Sequence, residues 1–266
     1  MILVSNTHVA LIVVAWLAGL LNLIAAQHIT LAQELQKHGI ANLQLDDLDR
    51  EITSYAVASD ERWFAIAYYW HTGSDLLPPD LRVRTLDRRN NVWRSALLNA
   101  DVRQGGSAVG IARRAGFIYL DLHISPSAGS LLVLSDNLKV RKRLYGWSSL
   151  ILGDGRVLYE NSMVHFAPAH PGSVSLYDPR SGLDTRVYPV TPDPETGGVM
   201  IDRSIGTIQL VGTTRVRFHV TEQNVVWGTD NRSVRVGTAR EAIVTCDISK
   251  PTPACVAQPQ EKGRQE

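Results

Sequence analysis

Cysteine is scarce in this chain, with two in 266 residues, and two thiols without a neighbouring histidine cannot make a structural zinc centre. Net charge is nearly absent too, at a formal +1, so bulk composition gives nucleic acid or a membrane surface little to hold. No Gly-x-Ser-x-Gly elbow presents a nucleophile. Gly105-Gly-Ser-Ala-Val-Gly110 lacks the Gly-Lys-Ser/Thr of a phosphate cradle and reads instead as a flexible crossing between two sheets. Helix signals are sparse, and nothing in the chain calls for a cofactor.

Charged side chains are missing altogether before Glu34, while Val9 to Ala26 is apolar apart from Gly19 and Asn22. That segment reads as an export signal, with Thr30-Leu-Ala32 fitting the small-x-small cleavage rule. No Lys or Arg precedes the apolar run, so the rival readings are an uncleaved anchor over residues 9–26, long enough to span a bilayer, and a buried core helix. Export predicts a periplasmic, cell-envelope or extracellular protein. Cys246 and Cys255 flank a Pro-rich turn, Asp247 to Ala254, and in an oxidising compartment they should bond. Closing so short a loop stabilises by roughly 2 to 3 kcal/mol in the chain-entropy model.

What the chain does contain is short apolar runs separated by turn residues. The clearest set is Ser149-Leu-Ile-Leu152, Arg156-Val-Leu-Tyr159, Val174-Ser-Leu-Tyr177 and Thr185-Arg-Val-Tyr188. Asp154-Gly155 supplies a hairpin turn, and Asp178-Pro179 through Gly182 a second. The same plan appears earlier, at Tyr55–Ala58, Trp63–Tyr69, Leu81–Leu86 and Val92–Leu97. It returns at Ser107–Ile111, Phe117–Leu122, Leu131–Leu134 and Val140–Tyr145. After Tyr188 it loosens into Val199–Ile201, Thr207–Val211, Val216–Val220, Val225–Trp227, Ser233–Val236 and a cysteine hairpin, one and a half to two further units. Upstream, Leu31, Leu35 and Ile40 suggest one short helix ended by Gly39.

Four antiparallel strands repeating every forty to fifty residues predict an all-β, β-propeller-like array of four to five blades, with a β-sandwich as the runner-up. Asp154-Gly-Arg-Val-Leu-Tyr159 and Leu176-Tyr-Asp-Pro-Arg-Ser-Gly182 resemble steps in bacterial TolB-like and WD-repeat-like propeller repeats. No Trp-Asp signature accompanies them, and the resemblance implies a fold but no function. The expected organisation is residues 1–32 as signal peptide or anchor, 33–54 as a polar, acidic linker, 55–257 as the propeller-like domain and 258–266 as a disordered tail.

For chemistry, Asp121, Glu160 and Glu222 fall near strand ends in different units, where two carboxylates converging across a ring could serve acid-base catalysis. His165 and His170 are five apart in one loop and would need a third ligand to hold a metal; His71, His123 and His219 read as structural. From Arg82 to Arg143 twelve basic residues face four acids. Arg82, Arg84, Arg141 and Arg143, with Trp147, are the candidates for gripping an anionic glycan; the alternative is that such charges line outer strands and prevent edge pairing. Trp63, Trp70, Trp93, Trp147 and Trp227 are packing residues or sugar platforms. The functional expectation is an exported, non-enzymatic binding or scaffolding module whose partner is a protein or an anionic glycan. The alternatives are a carbohydrate-active enzyme with central carboxylates and a subunit of a larger cell-envelope assembly.

Overall fold

The computed structural model describes residues 31–40, 52–70, 80–98, 107–125, 128–146, 149–161, 172–189, 199–227, 233–250 and 253–260. The export segment before Leu31 and the loop carrying His165 and His170 lie outside these residues, as do His71 and Trp147. Contacts divide the chain into two units, Met1–Asp46 and Asp47–Glu266.

In the first unit, helix α1 covers Leu31–Lys37. It stops at Gly39, whose φ of 71° lets the chain turn back. Ile40 N donates to Leu35 O at 3.0 Å and Gly39 N to Gln36 O at 2.9 Å, which satisfies two of the carbonyls a helix end leaves open. Leu35 and Ile40, the apolar pair of this closure, are both buried.

The second unit is an all-β, propeller-like array of four antiparallel sheets formed in chain order. Sheet one holds β1 (Ile52–Ser59), β2 (Trp63–Trp70), β3 (Asp80–Asp87) and β4 (Val92–Leu97). Sheet two holds β5 (Ser107–Arg114), β6 (Phe117–Ser125), β7 (Ala128–Ser135) and β8 (Val140–Tyr145). Sheet three holds β9 (Ser149–Ile151), β10 (Val157–Asn161), β11 (Ser173–Tyr177) and β12 (Asp184–Tyr188). Sheet four holds β13 (Val199–Ile205), β14 (Gln209–Val211), β15 (Arg215–Trp227), β16 (Ser233–Asp247) and β17 (Ala254–Pro259).

A sheet with two greasy faces must be covered on both, and here neighbouring sheets do the covering. Ala65, Ala67 and Tyr69 of β2 pack with Ile118, Leu120 and Leu122 of β6 in the first seam. The intervening residues Phe117 and Tyr119 of β6 turn the other way and join Val157 and Tyr159 of β10 in the second. Leu158 of β10 then meets Val216, Phe218 and Val220 of β15 in the third. Burial on both faces explains why Trp63–Tyr69 and Phe117–Leu120 read as unbroken apolar runs, whereas the edge strand β4 is exposed nearly throughout. Three seams in series are not the two facing layers of a sandwich.

Two hairpin turns in each of sheets one and three share one device. Asp60 Oδ1 accepts from Arg62 N at 2.7 Å, Asp87 Oδ1 from Arg89 N at 3.0 Å, Asp154 Oδ1 from Arg156 N at 3.0 Å and Asp178 Oδ1 from Arg180 N at 2.9 Å. An aspartate that satisfies the backbone two residues on holds the turn without help from elsewhere. These turns all lie at one end of the array. The strands β2, β6 and β10 end at the other.

Sheet four departs from the sequence reading. Val216–Val220 and Val225–Trp227 are one strand, and Ser233–Val236 continues into the cysteine hairpin, so the last stretch makes a single sheet. Thr221-Glu-Gln-Asn224 looked like a break because it is polar, but Glu222 is paired with Arg203 across the ladder and costs the strand little. Conversely β13 and β14 both pair with β15 and are one strand interrupted at Gly206, whose N donates to His219 O at 2.8 Å. Two further boundaries move. Ser107 to Gly110 belongs to β5 and not to a flexible crossing, and β17 carries Gln258 and Pro259, with Gln260 N donating to Glu241 O at 2.9 Å.

Cys246 and Cys255 stand opposite each other on β16 and β17 and are bonded. The Cys255 sulfur lies 3.1 Å from the Val187 carbonyl oxygen; lacking a proton, it packs there and donates nothing.

Candidate functional site

The three strand-end carboxylates are distributed over two seams. Asp121 on β6 lines a cavity of about 230 Å³ with Leu131, Leu144, Gly146, Ser149, Tyr159 and Thr207. Asp121 is exposed, yet its carboxyl loses part of its water to its surroundings, and this desolvation holds its pKa above the ordinary aspartate value, with His123 pulling it back. Gly146 shapes the cavity floor: at φ 157°, a Cβ there would sit 1.6 Å from the Glu160 carbonyl oxygen. Only glycine lets the two sheets approach so closely. The Tyr159 ring forms one wall while its hydroxyl donates to Asp184 Oδ2 at 2.8 Å; burial and that carboxylate raise its pKa.

Glu160 is buried on β10, and Glu222 on β15 is held by its neighbours. Arg203 Nε donates to Glu222 Oε1 at 2.6 Å, and its Nη1 donates to Gly172 O at 3.2 Å. The guanidinium also lies over the Tyr188 ring, 5.6 Å from its centroid, and the Tyr188 hydroxyl is 3.4 Å from the same Glu222 oxygen. The Arg203 side chain is 3% exposed and that of Glu222 21%. Both bonds fall on Oε1, and among the described residues none falls on Oε2.

Beside this pair, on the stretch of sheet four where β17 ends, is a groove of about 390 Å³. Val220, Ala242, Ala257 and Pro259 give it an apolar floor, and Tyr188, Glu222, Arg240 and Glu241 stand around it. An apolar floor with a few convergent polar groups is the common form of a ligand site.

Of the basic candidates, Arg82 and Arg84 alternate on β3 with Leu81 and Val83, which face the first seam, so these arginines point away from sheet two. Arg84 lies 5.9 Å from the Trp93 ring centroid. Arg141 is exposed on the edge strand β8, and Arg143 donates to Ser130 Oγ at 3.2 Å while covering the Tyr145 ring at 4.8 Å. The four do not share one face. Trp63 is buried in the first seam, Trp93 is on an exposed strand, and the side chains of Trp70 and Trp227 lie outside the described residues. His219 contacts Gln260 Oε1 at 2.9 Å. Among the described residues no three His, Cys, Asp or Glu side chains converge as a metal site. Arg203, Arg240 and Tyr188 escape a reading of the sequence; the one available sign is that Arg203 and Ile205, two apart on a strand, share a face, which puts a charge on the buried side.

No protein-family model matches the chain, and no curated protein matches it in sequence. Among solved structures, it is similar to the GH43_1 enzyme from Xanthomonas citri, at 10% identity and a TM-score of 0.30 over 79% of this chain and 87% of that one. The complex of the Xanthomonas citri GH43_1 enzyme with xylotriose gives 9% identity and 0.28, over 70% of this chain and 90% of that one. A bifunctional GH43-CE protein from Bacteroides eggerthii gives 9% and 0.27, over 78% of this chain and 28% of that one. Likeness at this level assigns no activity.

Proposed function

We propose that the chain is an exported binding module that takes a saccharide in the groove of sheet four. One observation carries the reading: the groove pairs an apolar floor, suited to the C–H face of a sugar ring, with a fixed acceptor, Glu222 Oε2, suited to its hydroxyls. Export is supported by the Cys246–Cys255 bond, since such bonds persist in oxidising compartments. Kinship with TolB-like or WD-type repeats remains our reading of the Asp154–Tyr159 and Leu176–Gly182 steps.

The test is a saccharide-binding screen on the full chain at two salt concentrations, repeated with Ala257→Trp. Filling the groove should abolish binding while leaving the melting temperature within a few degrees. Undiminished binding by that variant would move the site elsewhere.

A second reading is favoured by a different observation. Asp121 is a carboxyl held more easily protonated than usual at the mouth of a polar cavity, and a general acid of a glycoside hydrolase or lyase needs that property. Release of reducing ends from oligosaccharides, lost in Asp121→Asn, would establish it; a chain that binds but never cleaves would leave the binding module. A place in a larger assembly has support in Val226, Val234 and Val236, which are exposed on the far part of the β15–β16 hairpin.

A further inference from the structure

We infer that the saccharide taken by this groove is acidic and that Arg240 receives its carboxylate. The inference rests on the binding reading above and names its ligand. The ladder sets Arg203 opposite Glu222 and Glu222 opposite Arg240, so three charges stand in a row across β13, β15 and β16. Directly opposite side chains on such a ladder have Cβ atoms about 4.5–5.5 Å apart, so Glu222 has an arginine within reach on either side. It is bonded to Arg203, the buried one. That choice follows from desolvation, because a guanidinium in a dry seam needs its counter-charge more than one in water does.

Arg240 is left exposed at the rim, with no ion pair among the described residues. The row carries two cations and one anion; Glu241, the other acid at the groove, follows Arg240 on β16 and stands opposite Thr221, outside the row. The row's surplus is a planar donor fork that matches a carboxylate. A pyranose lying on Ala242, Ala257 and Pro259 would turn hydroxyls to Glu222 Oε2 and a ring carboxylate to Arg240. A neutral sugar would leave that fork unused. A peptide adding as a strand fits less well: the edge of β16 is distorted at Gly237, φ 75°, where Gln223 Nε2 donates to Gly237 O, and β17 ends on Pro259, which has no N–H.

The experiment is calorimetric titration of the full chain with a 1,4-linked uronic acid tetramer and with its carboxyl-reduced neutral counterpart. The acidic tetramer should bind at least about tenfold more tightly, as one charge-assisted pair commonly provides. Arg240→Gln should erase that preference and melt with the wild type, while Arg141→Gln on the edge strand β8 should keep it. Equal binding of the two sugars by the wild type would overturn the inference and leave the saccharide reading standing; binding of neither overturns both. Loss of the preference in Arg141→Gln but not in Arg240→Gln would move the anion site to β8. Displacement of a bound uronate by an extended peptide with a free C-terminal carboxylate at equal affinity would also overturn it, in favour of a general carboxylate site.

Discussion

Glu222 accepts from Arg203 across 2.6 Å, although Arg240 stands opposite it on the other neighbouring strand. The pair lies where the third seam meets the groove, so it serves both the packing of sheet four and the shape of the site. Arg203→Ala would leave Glu222 half-buried, with only the exposed Arg240 across the ladder as a counter-charge. The expected loss is about 3 kcal/mol, the lower end for a broken buried pair because Glu222 keeps some access to water. Arg203→Met with Glu222→Leu should recover much of it. Urea unfolding of the wild type and the two variants gives the comparison; equal stability of the single and double variants would show that the pair is not coupled.

Gly146→Ala should be far more damaging than a surface glycine change, since its Cβ would meet the Glu160 carbonyl at 1.6 Å. Sheets two and three would have to separate, at a cost of about 4 kcal/mol or more. Gly182→Ala, which meets nothing within 4 Å but has φ 77°, should cost only about 1 kcal/mol. The ratio of the two, read from denaturant midpoints, is the measurement.

Replacing both Cys246 and Cys255 by alanine should lower stability by about 2.5 kcal/mol, the chain-entropy value for a loop of this length. Wild-type protein in reductant should approach the same midpoint. If reductant changes nothing, the bond contributes little beyond the packing of Cys246 in the third seam.

Tyr69 is wholly buried in the first seam, and its hydroxyl has no hydrogen-bond partner among the described residues. Burial pushes its pKa up to about 12, with Arg143 pulling it back. Tyr69→Phe removes an unsatisfied polar atom and should be neutral or stabilising by about 1 kcal/mol. A clear destabilisation would mean that the hydroxyl is satisfied by water in solution.

Asp121 is easier to protonate folded than unfolded. Its contribution is therefore present below the usual aspartate pKa, about 3.9, and is lost as pH rises through the higher folded value. Asp87 and Asp247 run the other way. Bonds from Asn90 and from Ser249 hold their pKa values down, so their contribution exists above about 3.9 and is lost as pH falls through the lowered values. Asp121→Asn should gain stability over wild type between pH 3 and 7, and Asp87→Asn should lose it over the same interval. Melting curves at the two pH values decide the sign of each.

The first three sheets were legible because their turns declare themselves. Asp87, Asp154 and Asp178 each open a hairpin on local bonds, and apolar runs such as Trp63–Tyr69 have the length of a strand buried on both faces. Sheet four was not, because its long strands pass through polar residues whose partners are distant in sequence. Nothing near Glu222 announces Arg203, nineteen positions away, and the interruption at Gly206 hides that β13 and β14 are one strand. The groove was illegible for the same reason: Tyr188, Val220, Ala242 and Pro259 come from four strands, and only the register brings them together. Asp121 and Glu222 were visible as strand-end carboxylates, but one lines a cavity and the other is committed to an arginine, a difference that burial and not spacing decides.

The serial order of the seams has a mechanical consequence. Drawn out by its two ends, a stack whose sheets grip their neighbours should yield joint by joint, with a separate force peak for each, and not in one break. The joint nearest the C-terminus has polar clasps at both ends, Arg203 to Gly172 O at one and Arg156 to Ile248 O at the other, so the last two sheets should be the final pair to part.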